Sequence, residues 1–166
     1  MKTVTIDQLK KGSIFLINKD INWTSFDVVK KMRSCINKKY STKVKIGHAG
    51  TLDPLAEGLL IICTGKKTKE ISAFQNLKKK YQGEITIGAT TPSFDLETSI
   101  DRRFDFSHVN EVDVLNATKK FLGKTLQTPP IYSALKKNGE RLYNLARKNK
   151  SIQITKRIVN TYKFSI

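Results

Sequence analysis

Hydrophobic positions in this chain fall into short runs and alternations separated by polar turns. Ile14, Phe15, Leu16 and Ile17 form an apolar run between Gly12 and Asn18, which predicts a short buried strand. Phe26, Val28, Val29, Met32 and Ile36 recur on one side of a helical period. Thr24, with Asp27 three residues on, makes a capping-box-like start, so a helix is predicted from there to about Asn37. Val44 to Ile46 leads into a glycine-framed loop, and Leu59 to Cys63 reads as the next strand. A short helix fits Lys67 to Leu77, with Ile71, Phe74 and Leu77 inward. Tyr81, Gly83, Ile85 and Ile87 then alternate against Gln82, Glu84 and Thr86, the period of a half-buried strand.

The second half is more broken. Thr90 to Val109 is polar and turn-rich and reads as a loop. Asn110 caps a predicted helix carrying Val112, Val114, Leu115, Thr118, Phe121 and Leu122, with Gly123 as its stop. Pro129-Pro130 precede a strand expected from Ile131 to Leu135. Asn138-Gly139 read as a tight turn into a helical segment from Glu140 to Arg147. In the tail, Ile158, Tyr162, Phe164 and Ile166 share one parity, so sheet pairing is expected there. With no internal repeat, the pattern predicts an α+β fold: a mixed, largely antiparallel sheet with helices packed on it. An alternating strand that runs to Ile166 without a turn leaves an edge unpaired, which natural domains avoid. A fragment, a split gene product or a degraded gene is therefore expected, with a compact minimal protein as the alternative.

At 166 residues the length suits one ordinary domain with a real core. No run of apolar residues is long enough for a membrane span, and the N-terminus lacks the apolar centre of a signal peptide. Cys35 and Cys63 sit in apolar segments without CxxC spacing, and read as buried, reduced thiols of a cytoplasmic protein. His48 and His108 are the only histidines, and no metal-ligand cluster is visible. The formal net charge is +17, with lysine far in excess of arginine. Such a charge attracts polyphosphate, but an A+T-rich genome also enriches Lys, Asn and Ile. Distribution adds to the picture: Asp95, Glu97, Asp101, Asp105, Glu111 and Asp113 are six of the 14 acids and lie in one stretch. The remainder is more basic still, as expected of a chain with an RNA-facing side.

The most informative stretch is Gly47-His48-Ala49-Gly50-Thr51-Leu52-Asp53-Pro54-Leu55-Ala56-Glu57-Gly58-Leu59-Leu60. Glycines at 47, 50 and 58 allow positive φ or close backbone approach, and Pro54 biases Asp53 itself towards extended conformations. Two readings of Asp53 stand on this local chemistry: an Asx turn before a strand, or a carboxylate presented as a nucleophile or base.

These fourteen residues resemble the catalytic motif of the TruB family of tRNA pseudouridine synthases. Three further stretches resemble that family in order and spacing. They are Asn18-Lys19 with Trp23-Thr24-Ser25-Phe26-Asp27-Val28-Val29; Lys80-Tyr81 with Ile87-Gly88-Ala89-Thr90-Thr91-Pro92-Ser93-Phe94-Asp95; and Gln127-Thr128-Pro129-Pro130-Ile131-Tyr132-Ser133-Ala134-Leu135-Lys136, followed by Gly139, Leu142-Tyr143 and Ala146-Arg147. The family's usual Pro and Gly in the first of these are Asp20 and Asn22 here. Asn tolerates a left-handed conformation better than most residues, so the turn is expected to survive. The family continues through a Lys-Gly-Thr-Tyr-Ile-Arg segment and a C-terminal RNA-binding domain, neither of which occurs in this sequence. The resemblance thus implies that 1–166 is a pseudouridine synthase catalytic domain with that fold, incomplete at its C-terminus and truncated before the last core strands.

The resemblance further implies isomerisation of uridine 55 to pseudouridine in the TΨC stem-loop of tRNA, by a cytoplasmic protein expected to be a monomer. No cofactor or metal is called for, because the substrate supplies both fragments. Asp53 is implied as the nucleophile, acting on C1′ or on the proton at C2′. Tyr81 is implied to stack on the flipped uridine, although locally it reads as a sheet-face tyrosine. His48 is implied to contact the flipped nucleotide region, and its place between two glycines suggests an exposed loop. Asp95 matches an acid near the family's active site; its local reading is a turn or cap. Lys69 and the run Lys78-Lys79-Lys80 are phosphate-contact candidates, or else a solvated charged face. Trp23 and Phe26 are expected in the core. The alternative function is a truncated relative that binds or remodels tRNA without catalysis. A generic basic RNA-binding module leaves the acid motif unexplained.

Overall fold

In the computed structural model, residues 4–133, 135–137, 139–142, 145 and 154–166 are described. The chain forms two compact units, Met1–Gln82 and Gly83–Ile166.

The first unit is built on a three-stranded antiparallel sheet in the order β1-β3-β2, where β1 is Ile14–Lys19, β2 is Ile46–Ala49 and β3 is Gly58–Thr64. Register follows from the apolar pattern: Phe15 pairs with Ile62, Ile17 with Leu60 and Lys19 with Gly58, while His48 also pairs with Ile62. Side chains opposite one another share a face, so Phe15, Ile17, Leu60, Ile62 and Ile46 line the same side. Helix α2 (Ser25–Tyr40) covers that side with Val28 and Val29, and Met32, Ile36, Val44 and Leu52 complete the core. Leu60 and Ile62 are fully buried. The helix begins as its sequence indicated. Thr24 accepts the Asp27 backbone N–H at 3.0 Å, and the Asp27 carboxylate accepts that of Thr24 at 3.1 Å. Arg33 ties the helix to β2 by donating to the Ile46 carbonyl at 2.7 Å.

A short helix α1 (Ile6–Lys11) precedes the sheet, with a capping box between Thr5 and Gln8 and with Leu9 buried. A 3-10 turn (Gly65–Glu70) and helix α3 (Ile71–Gln75) follow β3, occupying most of the segment predicted as one helix.

The second unit holds a two-stranded ladder of β4 (Ala89–Thr90) with β5 (Arg102–Arg103), helix α4 (Glu111–Lys119), and strands β6 (Gly123–Gln127), β7 (Lys136–Lys137), β8 (Glu140–Arg141) and β9 (Arg157–Thr161). β6 pairs with β9 and β7 with β8, and every pairing among the described residues is antiparallel. Helices combined with antiparallel strands make the fold α+β, as the pattern predicted. No helix among the described residues is long and apolar enough to cross a membrane.

Several local expectations change. Tyr81 to Ile87 forms no strand: alternation makes a strand only where a neighbour supplies hydrogen bonds, and no described strand pairs with it. Phe26 and Trp23 are 49% and 40% exposed, not core residues. The Phe26 ring instead lies under the cations of Lys30 and Arg33. Cys63 is buried but Cys35 is exposed. Helix α4 stops at Lys119, before Phe121 and Leu122, although Asn110 caps it as predicted. Residues 131–133 are bends and the strand starts at Lys136. Gly139 takes φ +84° in the β7–β8 turn, while Asn138 lies outside the described residues. Glu140 and Arg141, expected to open a helix, instead form β8; Leu142 and Leu145 are helical and buried, and residues 143, 144, 146 and 147 lie outside the described residues. In β9 the parity is reversed: Ile158 is exposed, whereas Val159 and Thr161 turn inward.

Candidate active site

The connection from β2 to β3 carries Asp53. Gly50 and Gly58 bound it with φ of +102° and +120°, values that side-chain-bearing residues rarely adopt. Neither has a neighbour within 4 Å of an added Cβ, so the backbone torsion, not crowding, calls for glycine there. At Gly47 an added Cβ would lie 2.8 Å from Ile71 Cδ1, the end of a side chain that would have to shift.

Between those glycines the chain is held residue by residue. Leu52 is partly buried and packs against the core cluster. The Ser25 hydroxyl, 2% exposed, accepts the Leu52 N–H at 2.8 Å and donates to the Leu52 carbonyl at 3.0 Å. The Pro54 carbonyl accepts the Asn22 N–H at 2.7 Å, and Asn22 holds the left-handed φ of +67° that its sequence suggested. The Asp53 carbonyl accepts the Ala56 N–H at 3.0 Å, closing a β-turn with Pro54 in its second position. Alternation along the loop leaves Asp53 exposed while Leu52 and Pro54 point inward. A carboxylate is thus displayed to solvent from an immobilised backbone, which suits covalent attack or proton abstraction.

Lys19 is the cation that sequence reasoning left unassigned. It lies on the inward face of β1 after Phe15 and Ile17, and its side chain is 1% exposed. Its ammonium donates to the carbonyls of Trp23 at 2.6 Å and Asp20 at 3.0 Å. Burial pushes its pKa below the ordinary lysine value, and the negative charges of Asp20, Asp53 and Glu57 oppose that shift. The parity of Phe15, Ile17 and Lys19 was the signal in the sequence that could have marked it as inward.

His48 lies on β2, half-buried on the core side, and not in an exposed loop. Its Nδ1 is bonded to the Gly50 carbonyl. A carbonyl only accepts, so Nδ1 carries the hydrogen, and in the neutral ring Nε2 is left as an acceptor. Tyr81 is 73% exposed near the end of the first unit, outside any regular element. Lys69 is exposed on the 3-10 turn beyond the far end of β3. Six residue steps of strand, roughly 20 Å, separate that end from the Asp53 loop. Within the lysine run, Lys79 donates to the carbonyls of Gln75 and Leu77 at the end of α3. Asp95, in the second unit, accepts the Glu97 N–H at 2.9 Å, and its carbonyl accepts the Thr91 hydroxyl at 2.6 Å. Its carboxylate therefore closes an Asx turn.

The description of the TruB family pseudouridylate synthases, N-terminal domain, matches residues 37–166. The tRNA pseudouridine synthase B of Flavobacterium johnsoniae is 50% identical over 165 residues, covering 98% of this chain and 72% of the relative. That of Phocaeicola vulgatus is 47% identical over 146 residues, covering 87% of the chain and 62% of the relative. The enzyme of the same name in Chloroherpeton thalassium is 50% identical over 144 residues, covering 85% and 58%. The chain belongs to the TruB family of pseudouridine synthases. It spans between 58% and 72% of the length of these relatives.

Proposed function

We propose that this chain is a pseudouridine synthase catalytic domain, residues 1–166, that isomerises uridine 55 in the TΨC stem-loop of tRNA, as a monomer in the cytoplasm. The observation that carries the reading is Asp53, a solvent-facing carboxylate on a backbone fixed at the residue before it and the residue after it. The names of the relatives support tRNA as the substrate.

In this reading Asp53 attacks C1′ of the target uridine, or takes the proton at C2′. The N1–C1′ bond breaks, the base rotates, and C5 bonds to C1′ as the Asp53–C1′ bond breaks or, on the other route, as Asp53 returns the proton to C2′. The proton at C5 is then lost and N1 gains one, so the product is an isomer of the substrate. The uridine must leave its stack, and the exposed Tyr81 ring is a stacking platform worth roughly 1–3 kcal/mol per base. His48 offers Nε2 to the flipped nucleotide region. Lys69 contacts phosphate away from the reacting base. Asp95 acts by closing the Asx turn to Glu97 with its carboxylate.

The test replaces Asp53 with Asn in the full-length protein. Tritium release from tRNA carrying 5-tritiated uridine is expected to fall to background. Affinity for the same tRNA is expected to stay within about threefold, because the change removes a nucleophile and leaves shape and phosphate contacts in place. Pseudouridine formed by the Asn variant would remove Asp53 from this role. A wild-type protein that binds tRNA but never releases tritium would identify a binding relative instead of an enzyme.

A further inference from the structure

We propose that Ser25 is the positioning residue for Asp53, its buried hydroxyl fixing the direction of the carboxylate through both backbone groups of Leu52. This rests on the reading of Asp53 as the reacting group.

β2 ends at Ala49 and β3 begins at Gly58, so Leu52 has no place in the sheet ladder. Its N–H and carbonyl need partners from elsewhere. A hydroxyl has one hydrogen to give and lone pairs to receive, and Ser25 uses both functions on this single residue, at 2.8 and 3.0 Å. At 2% exposure it does not reach a bound RNA, so any influence on reaction passes through the loop.

The same chain segment acts on the other side of Asp53. Asn22, three residues before Ser25, donates to the Pro54 carbonyl. Both neighbours of Asp53 are therefore tied to the connection between β1 and α2, and Asp53 keeps little freedom beyond its own side-chain torsions. Lys19 stiffens that connection from within by bonding the carbonyls of Asp20 and Trp23. The Leu52 side chain remains anchored in the core whether or not the hydroxyl is present. Loss of the hydroxyl should therefore loosen the loop without unfolding the unit.

The experiment uses the full-length protein with Ser25→Ala, Ser25→Thr and Ser25→Cys, read by steady-state kinetics on tRNA and by hydrogen exchange of the peptide covering 50–57. Displacement of a reacting group by about 1 Å can cost about 100-fold. For Ser25→Ala a 10- to 100-fold fall in kcat is expected, with KM within about threefold and faster exchange in 50–57. Ser25→Thr, which keeps the hydroxyl, should recover most of the rate. Ser25→Cys keeps the size but bonds weakly, so it should fall between Ala and wild type, and it carries the test if Ala does not fold.

A kcat for Ser25→Ala or Ser25→Cys within about twofold of wild type would overturn the proposal. So would a lowered kcat with unchanged loop exchange. Absence of turnover in the wild-type protein would instead sink the assignment of Asp53, while faster exchange in the Ala variant would still report the clamp.

Discussion

The Lys19 ammonium donates to the Trp23 carbonyl at 2.6 Å from a side chain that is almost entirely buried. A buried charge is costly unless it is paired or hydrogen-bonded. Here two carbonyls of the β1–α2 connection receive it, and acidic groups including Asp53 lie close enough to favour its charged form. Lys19 thereby links the shape of the connection to the electrostatics of the Asp53 loop. The same connection supplies Asn22 and Ser25, so one local structure holds the backbone on both sides of Asp53.

The first prediction concerns Lys19 and alkaline pH. Its native pKa lies below 10.5, so between the native value and 10.5 the unfolded chain binds more protons than the folded one. Stability contributed by this group therefore rises with pH across that window, as the desolvated charge is neutralised. Urea midpoints of the wild type and Lys19→Met should diverge in favour of the wild type as pH climbs from neutrality towards 10.5. The other lysines are common to both proteins and cancel. A difference that stays flat or narrows would mean that Lys19 is not desolvated.

A second prediction concerns the start of α2 and acid. Hydrogen bonds from the Thr24 hydroxyl and backbone hold the Asp27 carboxyl below its ordinary value of 3.8. A depressed acid contributes stability above its unfolded pKa and loses it as pH falls through the native one. The stability gap between wild type and Asp27→Asn should therefore be largest near neutrality and close on acidification below 3.8. Thr24→Ala removes the reciprocal bond and should cost about 1 kcal/mol in chemical denaturation. Because Ser25 is the next residue, hydrogen exchange at Leu52 should also rise in the Thr24→Ala protein. Unchanged exchange there would show that the cap and the clamp are independent.

The third prediction addresses the charge of +17. Of the 31 basic residues, 17 lie in Met1–Gln82 against six acids, so the unit carrying Asp53 is the more basic one. If about four to six phosphates are neutralised on binding, log K for tRNA should fall with a slope of about −3 to −5 against log salt. Filter binding over a range of potassium chloride concentrations measures it. A slope near zero would assign the lysines to compositional bias.

What the sequence determined by itself was local. The Thr24–Asp27 capping box and the cap at Asn110 depend on groups a few residues apart, and both formed as written; Asp113 completes the second. The glycine frame of Asp53 and the left-handed Asn22 depend on torsions that each residue type admits on its own. The capping pair Thr5 and Gln8 was equally legible, and α1 could have been predicted from it. The acid motif, with its resemblance to the TruB family, singled out Asp53 as the proposed reacting residue.

Tertiary structure decided which distant groups meet. Ser25 and Leu52 are 27 residues apart, and only the packing of α2 on β3 and β2 brings the hydroxyl to that backbone. Lys19 shares the parity of Phe15 and Ile17, but only the folded sheet and the connection above it bury its side chain. Residues 81–87 alternate as a strand should, yet hydrogen bonds between strands belong to the pair and not to either member, so alternation alone did not make one. Torsional preferences and caps are written within a few residues, whereas burial and cross-chain hydrogen bonds are properties of neighbours that only the folded chain supplies.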